Sequence, residues 1–253
     1  MNQDVDNKEI YNKSWSSWED MKIYGPASRW LRWLAREAIV GADLSDISTI
    51  LDFGCGTGVT TSFIADLFPA ATVTGCDISQ SGITIADKHY RNDRIRFYVD
   101  DGTLMFRKKY DLICCFEVLE HLQEWKPILK KMTKCSHYLI LSTPTGRMRP
   151  FEKEVGHVRN FQRGELEKVL RDCGAENKVV FNAGFPFYSP LYRDVCQLTG
   201  VGISDFTRNR YGPVQRVIAL VVYMLFRYGS LRTHGDQFCG VFSMKKEKET
   251  GQG

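Results

Sequence analysis

From residue 48 the chain alternates short apolar runs with amphipathic stretches, a rhythm that few folds accommodate. Residues 48–53, 71–76, 94–99, 110–116, 137–142, 177–181 and 237–244 read as strands. Helices are expected from a glycine loop to Phe68, where Pro69 stops the helix, and over 79–90, 124–134 and 165–173. Strands alternating with helices are βαβ units. Repeated, they build a mostly parallel sheet whose ligand site lies at the carboxyl ends of the strands. Ahead of this region, residues 10–40 are aromatic, with Tyr11, Trp15, Trp18, Tyr24, Trp30 and Trp33. Within it, 27–40 has helical spacing that puts Trp30, Leu31, Leu34 and Ala38 on one face.

At 253 residues the chain can bury a large core without disulfides or a structural metal. Its eight cysteines, Cys196 among them, form no C-x-x-C pair, which argues against zinc-ribbon and thioredoxin-type sites. No secretory pattern is visible in the first residues, so the thiols are expected to be reduced and the protein cytoplasmic. A net charge of +4 falls short of a dedicated nucleic-acid binder, so a nucleic-acid partner is disfavoured. The longest apolar run, ten residues at 217–226, is well below the roughly 18–20 needed to cross a bilayer. The polar ends, 1–9 and 245–253, are expected to be mobile tails.

The first strand runs into Ile50-Leu51-Asp52-Phe53-Gly54-Cys55-Gly56-Thr57-Gly58. Glycines here permit positive φ and close approach of a ligand to the backbone. The loop is G-x-G-x-G with Thr61 three residues on, a departure from the G-x-G-x-x-G dinucleotide fingerprint. Asp52 before the loop would repel a pyrophosphate and suit a ligand with positive charge. Asp77 ends the second strand, where a carboxylate can accept from two ribose hydroxyls, and Asp100-Asp101-Gly102 follows the third. Each acid alone is more often a cap or turn residue than a ligand. Three in order at one sheet edge point to a ligand.

Together with Phe116-Glu117-Val118-Leu119-Glu120-His121-Leu122, these segments resemble the class I S-adenosylmethionine-dependent methyltransferases. The resemblance covers about residues 27–183 and the last strand. It implies a Rossmann-like, doubly wound α/β fold with a seven-stranded sheet and an antiparallel last strand, and S-adenosyl-L-methionine as cofactor. It places Gly54 and Gly56 under the methionine moiety, Asp77 on the ribose, Ile78 on the adenine and Asp101 beside the adenine amine. Cys55, Gly102, Phe116, Asp52 and an arginine near the donor carboxylate, Arg29, complete the implied donor set.

Methyl transfer from a sulfonium is an in-line displacement, so positioning supplies most of the catalysis. A hydroxyl acceptor also needs a base, and His121, at the mouth where donor and acceptor meet, fits that role, with His157 as a second catalytic candidate. The bland alternative is that His121 packs a helix start. Glu117, Glu120 and His121 have the i, i+3, i+4 spacing of one helical face. With His157 they resemble the Glu/Glu/His/His set that holds a divalent cation in small-RNA 2′-O-methyltransferases, whereas metal-free relatives share the same run. A metal is therefore not favoured. The leading expectation is O-methylation of a small-molecule acceptor; the alternatives are an RNA 2′-O-methyltransferase and a non-catalytic S-adenosylmethionine-binding protein.

Four segments are expected: a helical N-terminal cap at 1–47, the donor-binding core at 48–183, an insertion at 184–235 that forms a lid over the acceptor together with the aromatic N-terminal helix, and the last strand with a polar tail at 236–253. The insertion opens with an aromatic, proline-rich run containing Phe187, Tyr188 and Tyr192, suited to a wall beside the acceptor. Its apolar stretch 214–228 is expected to pack as a cap, to shield a hydrophobic acceptor, or to rest on a membrane with Arg216, Arg227 and Arg232 at the surface.

Overall fold

The computed structural model describes residues 3–195 and 210–245. Cys196 and the tail beyond Lys245 lie outside the described residues. Seven strands form one sheet in the order β3-β2-β1-β4-β5-β7-β6. They are β1 (Thr49–Phe53), β2 (Thr72–Asp77), β3 (Ile95–Val99), β4 (Tyr110–Phe116), β5 (Ser136–Pro144), β6 (Ala175–Ala183) and β7 (Gln237–Met244). β1 to β5 are mutually parallel, while β7 runs antiparallel between β5 and β6.

Both faces of the sheet are covered, which explains why its strands read as continuous apolar runs. Ile50 and Leu112 are register partners packed on one face, Leu51 and Ile113 partners on the other. The crossover helices are α3 (Val59–Leu67), α4 (Gln80–Tyr90), α5 (Trp125–Cys135) and α7 (Glu165–Asp172), with a short α6 (Pro150–Glu154). Ser79 caps α4, its hydroxyl accepting from Gly82 N at 3.2 Å. β5 and β6 outrun the expected strands because β7 pairs with them along its whole length, down to Pro144 opposite Gln237.

The N-terminus corrects the expectation of a mobile tail. Helix α1 covers Gln3–Tyr24 and α2 follows over Pro26–Ala42. Asn7 is buried and Trp15 is 6% exposed, so α1 is held by what it packs on. The insertion contributes a kinked turn, Phe187–Tyr192, and α8 (Pro213–Gly229). Tyr188 stacks on Trp30 of α2 with ring centroids 4.2 Å apart, and Phe226 of α8 meets Trp30 edge-on. The insertion therefore closes against the N-terminal helices over the sheet face that carries Ile50 and Leu112. Among the described residues no helix is long and apolar enough to cross a membrane.

Candidate functional site

At the end of β1, Gly54 and Gly56 adopt φ of +77° and +53°. A Cβ on Gly54 would lie 2.2 Å from a Val118 methyl, and one on Gly56 2.7 Å from the Trp15 ring, so torsion and space both require glycine. The turn is tied to β2. Gly54 N and Cys55 N donate to Cys76 O at 2.8 and 3.0 Å, and Gly56 N donates to Asp77 Oδ2 at 2.9 Å. Asp77 Oδ1 accepts from Ser79 N at 2.8 Å. Each oxygen keeps a lone pair for a ligand. Burial raises the Asp77 pKa, and the backbone donors oppose that rise.

At the end of β3, Asp100 accepts from the backbone N–H of Gly102, Leu104 and Met105 at 2.9, 3.1 and 3.2 Å, and so is committed to the turn. Asp101, more exposed, accepts from Thr103 N at 2.9 Å. At the end of β4 the chain turns through Glu117, a non-glycine residue at φ +56°, into a single 3-10 turn at Leu119–His121. Glu117 Oε1 accepts from Ser142 Oγ at 2.7 Å and from Gln237 Nε2 at 2.8 Å. Glu120 Oε2 accepts from Thr143 Oγ1 at 2.9 Å; its Oε1 has no hydrogen-bond partner among the described residues. Burial, with repulsion from Glu117 second, pushes the Glu120 pKa well above the usual carboxylate range.

Helix α1 lies over these strand ends. Asn7 Nδ2 donates to His121 O at 2.9 Å, and the Tyr11 hydroxyl stands 3.1 and 2.9 Å from His121 Nδ1 and Nε2. Asn12 Oδ1 accepts from Ser79 Oγ at 2.7 Å, and Asn12 O accepts from Ser81 Oγ at 3.0 Å. His157 meets His121 edge-on at 4.6 Å between ring centroids. Burial lowers the pKa of His121 to about 3 and of His157 to about 4, so both rings are neutral near pH 7. Ligand atoms of Glu120, His121 and His157 all lie within 4.8 Å of one another.

Beneath α1 is a cavity of about 600 Å³, within the usual size of small-molecule sites. Gly54, Asp77, Ile78, Asp101 and Phe116 line one part, and His121, His157, Tyr188, Tyr192 and Arg193 another.

The methyltransferase-domain family matches residues 51–137, the span that carries β1 to β4. A malonyl-acyl-carrier-protein O-methyltransferase of Bacillus anthracis is 31% identical over 199 residues, 75% of this chain and 68% of the relative. The chain belongs to the S-adenosylmethionine-dependent methyltransferases. A ubiquinone biosynthesis O-methyltransferase of Actinobacillus pleuropneumoniae is 33% identical over 106 residues, although the match spans only 44% of that relative. Among solved structures, a magnesium protoporphyrin IX methyltransferase from Synechocystis with bound S-adenosylmethionine superposes with TM-score 0.55 at 18% identity, covering 71% of this chain and 89% of that one. A cyclase, SpnF, superposes with TM-score 0.58 at 20% identity over 84% of this chain and 80% of that one. Likeness at that level shows the fold, which hosts more than one chemistry.

The methyl donor of this methyltransferase is S-adenosyl-L-methionine, and the strand ends fit it: a glycine turn without room for side chains, and a buried acid with lone pairs to spare. Of the residues expected to bind the donor, Gly54, Asp77, Ile78, Asp101 and Phe116 line the cavity. Five do not. Arg29 points away, its guanidinium 4.9 Å over the Tyr223 ring, because α8 packs on that side of α2. Asp52 is buried behind the loop and accepts from Thr61 Oγ1 at 2.6 Å, tying β1 to α3. Desolvation pushes its pKa up to about 7, as befits a carboxyl facing protein and not ligand. Cys55 is buried, its thiol pushed up by desolvation. Gly56 sits under Trp15, and Gly102 serves the turn against Phe106.

The Glu117, Glu120, His121 face does not form as expected. The positive φ at Glu117 breaks the helical spacing, and its carboxylate turns to Ser142 and Gln237, leaving Glu120, His121 and His157 as the cluster. Lys22 of α1 was not anticipated. It lines the cavity with its ammonium 5.3 Å from the Trp15 centroid; burial lowers its pKa and the Glu117 charge opposes that. Tyr11, Trp15, Trp18 and Lys22 are spaced by four, three and four residues, one helical stripe that sets Lys22 on the same face as the aromatic residues lining the cavity.

Proposed function

We propose that the enzyme methylates an oxygen of a small, partly apolar acceptor, with His121 as the proton acceptor. The observation that carries this reading is the single cavity in which the donor strand ends and the His121–His157 pair share one volume. S-adenosyl-L-methionine supplies an electrophilic methyl group. Asp77 would hold the ribose, Asp101 the adenine amine, and Lys22 the donor carboxylate, since Arg29 stacks on Tyr223 and does not line the cavity. The acceptor oxygen would sit where the Tyr11 hydroxyl now meets His121, so α1 must shift to admit it. Burial holds the His121 pKa at about 3 while Tyr11 covers the ring, so the imidazole becomes an effective proton acceptor only once α1 shifts and the acceptor hydroxyl replaces that contact. Tyr188, Tyr192, Phe151 and Ile128 would enclose the apolar part of the acceptor, and the roof formed by α1 disfavours RNA. The two relatives are O-methyltransferases by name, which supports the choice of oxygen.

Incubating the enzyme with methyl-labelled donor and a cell extract tests this reading. Label in base-labile or ether-linked small metabolites is expected, and label confined to RNA or protein overturns it. A second reading, a divalent cation held by Glu120, His121 and His157, is favoured by the unpartnered Glu120 Oε1. There the ion would lower the pKa of an acceptor hydroxyl. Elemental analysis of the dialysed protein, with activity before and after EDTA, decides between them.

A further inference from the structure

Helix α8 buries only one edge. Ala219 and Phe226 face the fold, with Phe226 packed on Tyr192 and Tyr188 at centroid distances of 5.0 and 5.5 Å. The opposite side is apolar and exposed: Val214 is 72% exposed, Val217 61%, Val221 62% and Tyr228 72%, with Ile218 and Leu225 between them. These residues recur at helical spacing and form one broad stripe. Water-facing helices of this kind normally carry charge; a contiguous apolar stripe marks an interaction surface.

The charges around the stripe say what that surface meets. Pro213–Gly229 contains no acidic residue. Arg216 and Arg227, about three turns apart, lie along the same edge of the helix, and Arg210 is exposed just before it. The arginines are anchored on aromatic faces: Arg216 lies 4.1 Å over the Tyr24 ring, Arg227 5.8 Å over Trp33, and Arg232, which also pairs with Glu37, 5.9 Å over Trp33. Aromatic rings at a line of guanidinium groups beside an apolar stripe match the layering of a bilayer interface. At 17 residues, α8 is too short to cross.

We propose that α8 docks the enzyme on an anionic lipid surface, lying in the plane of the interface with Val217, Val221 and Leu225 in the acyl region and Arg210, Arg216 and Arg227 among the headgroup phosphates. This goes beyond the assignment of reaction and acceptor, and holds whichever acceptor is used. Because Phe226 of the same helix packs on Tyr188 and Tyr192 of the cavity wall, docking brings the acceptor site to the membrane.

The test is cosedimentation of the full chain with vesicles of phosphatidylcholine, with and without phosphatidylglycerol. Three arginines predict a preference for the anionic vesicles on the order of 100-fold, which added salt removes. Val217→Asp combined with Val221→Asp should weaken binding by on the order of 100-fold or more. Both side chains are exposed, so melting temperature and affinity for S-adenosylhomocysteine should stay at wild-type values. Should the aspartate pair destabilise the fold, Val217→Ser with Val221→Ser carries the same comparison with a smaller loss. Failure of the wild type to sediment with anionic vesicles overturns the proposal, as does equal binding by folded variants. A wild-type dimer that becomes monomeric in the variants, without vesicle binding, assigns the face to a second copy of the chain instead.

Discussion

Asp77 offers the sharpest test of the donor site, because its carboxylate does two jobs whose costs differ. Each oxygen accepts one backbone N–H, from Gly56 and from Ser79, and each is left able to accept a ribose hydroxyl. Asp77→Ala removes both sets. Two charge-assisted bonds to the ribose, at about 1.5–3 kcal/mol each, amount to about 3–6 kcal/mol, or roughly 10²–10⁴ in dissociation constant. The fold loses less. The stranded N–H groups of Gly56 and Ser79 each cost about 1–3 kcal/mol, but the buried carboxylate, whose raised pKa shows its charge to be penalised, is removed as well. A net loss near 2 kcal/mol lowers the melting temperature by about 4–8 °C in a domain of this size, leaving the variant folded at room temperature. Calorimetric titration with S-adenosylhomocysteine beside a thermal melt separates the two effects. A dissociation constant within threefold of wild type would show that the ribose does not rest on Asp77, and a collapsed melt would show that the residue is chiefly structural.

Three further outcomes are expected. Lys22→Met should weaken S-adenosylhomocysteine by about 10–100-fold yet leave 5′-methylthioadenosine, which lacks the amino-acid carboxylate, unaffected; equal losses for both ligands would remove Lys22 from the carboxylate. His121→Ala should reduce turnover by about 10²–10⁴-fold with donor affinity near wild type, and surviving turnover would make His121 a packing residue. Asp52 has a folded-state pKa of about 7, above its unfolded value, so its buried charge destabilises the fold at high pH and the penalty is relieved as pH falls from 8 toward 5. Asp52→Asn, which can still accept from Thr61, should raise the melting temperature at pH 8 and flatten that part of the stability profile, by about 3 kcal/mol; an unchanged profile would refute the assignment.

The strands, the glycine turn and the acids at the strand ends were legible in the sequence because each depends on local physics. Apolar runs bounded by turn residues mark buried strands, and glycine at a turn reports positive φ over a few residues. Hence all seven strands, and Gly54, Asp77, Ile78, Asp101, Phe116, His121 and His157 at the cavity, could be named from spacing and resemblance. What only the tertiary structure decided is which way side chains face once distant segments meet. Asp52 and Asp77 both lie near the carboxyl ends of their strands, but Thr61 draws one inward while Gly56 and Ser79 hold the other at the cavity. Glu117 leaves helical register because Ser142 and Gln237, 25 and 120 residues away, bind its carboxylate. Helix α1, polar enough to read as a tail at its start, is fastened by Asn7 and Tyr11 to His121, more than 100 residues on, and so brings Lys22 into the cavity lining, which Arg29 does not join. Sequence spacing reports periodicity within a segment; the burial that selects a partner for a charge exists only after the segments pack.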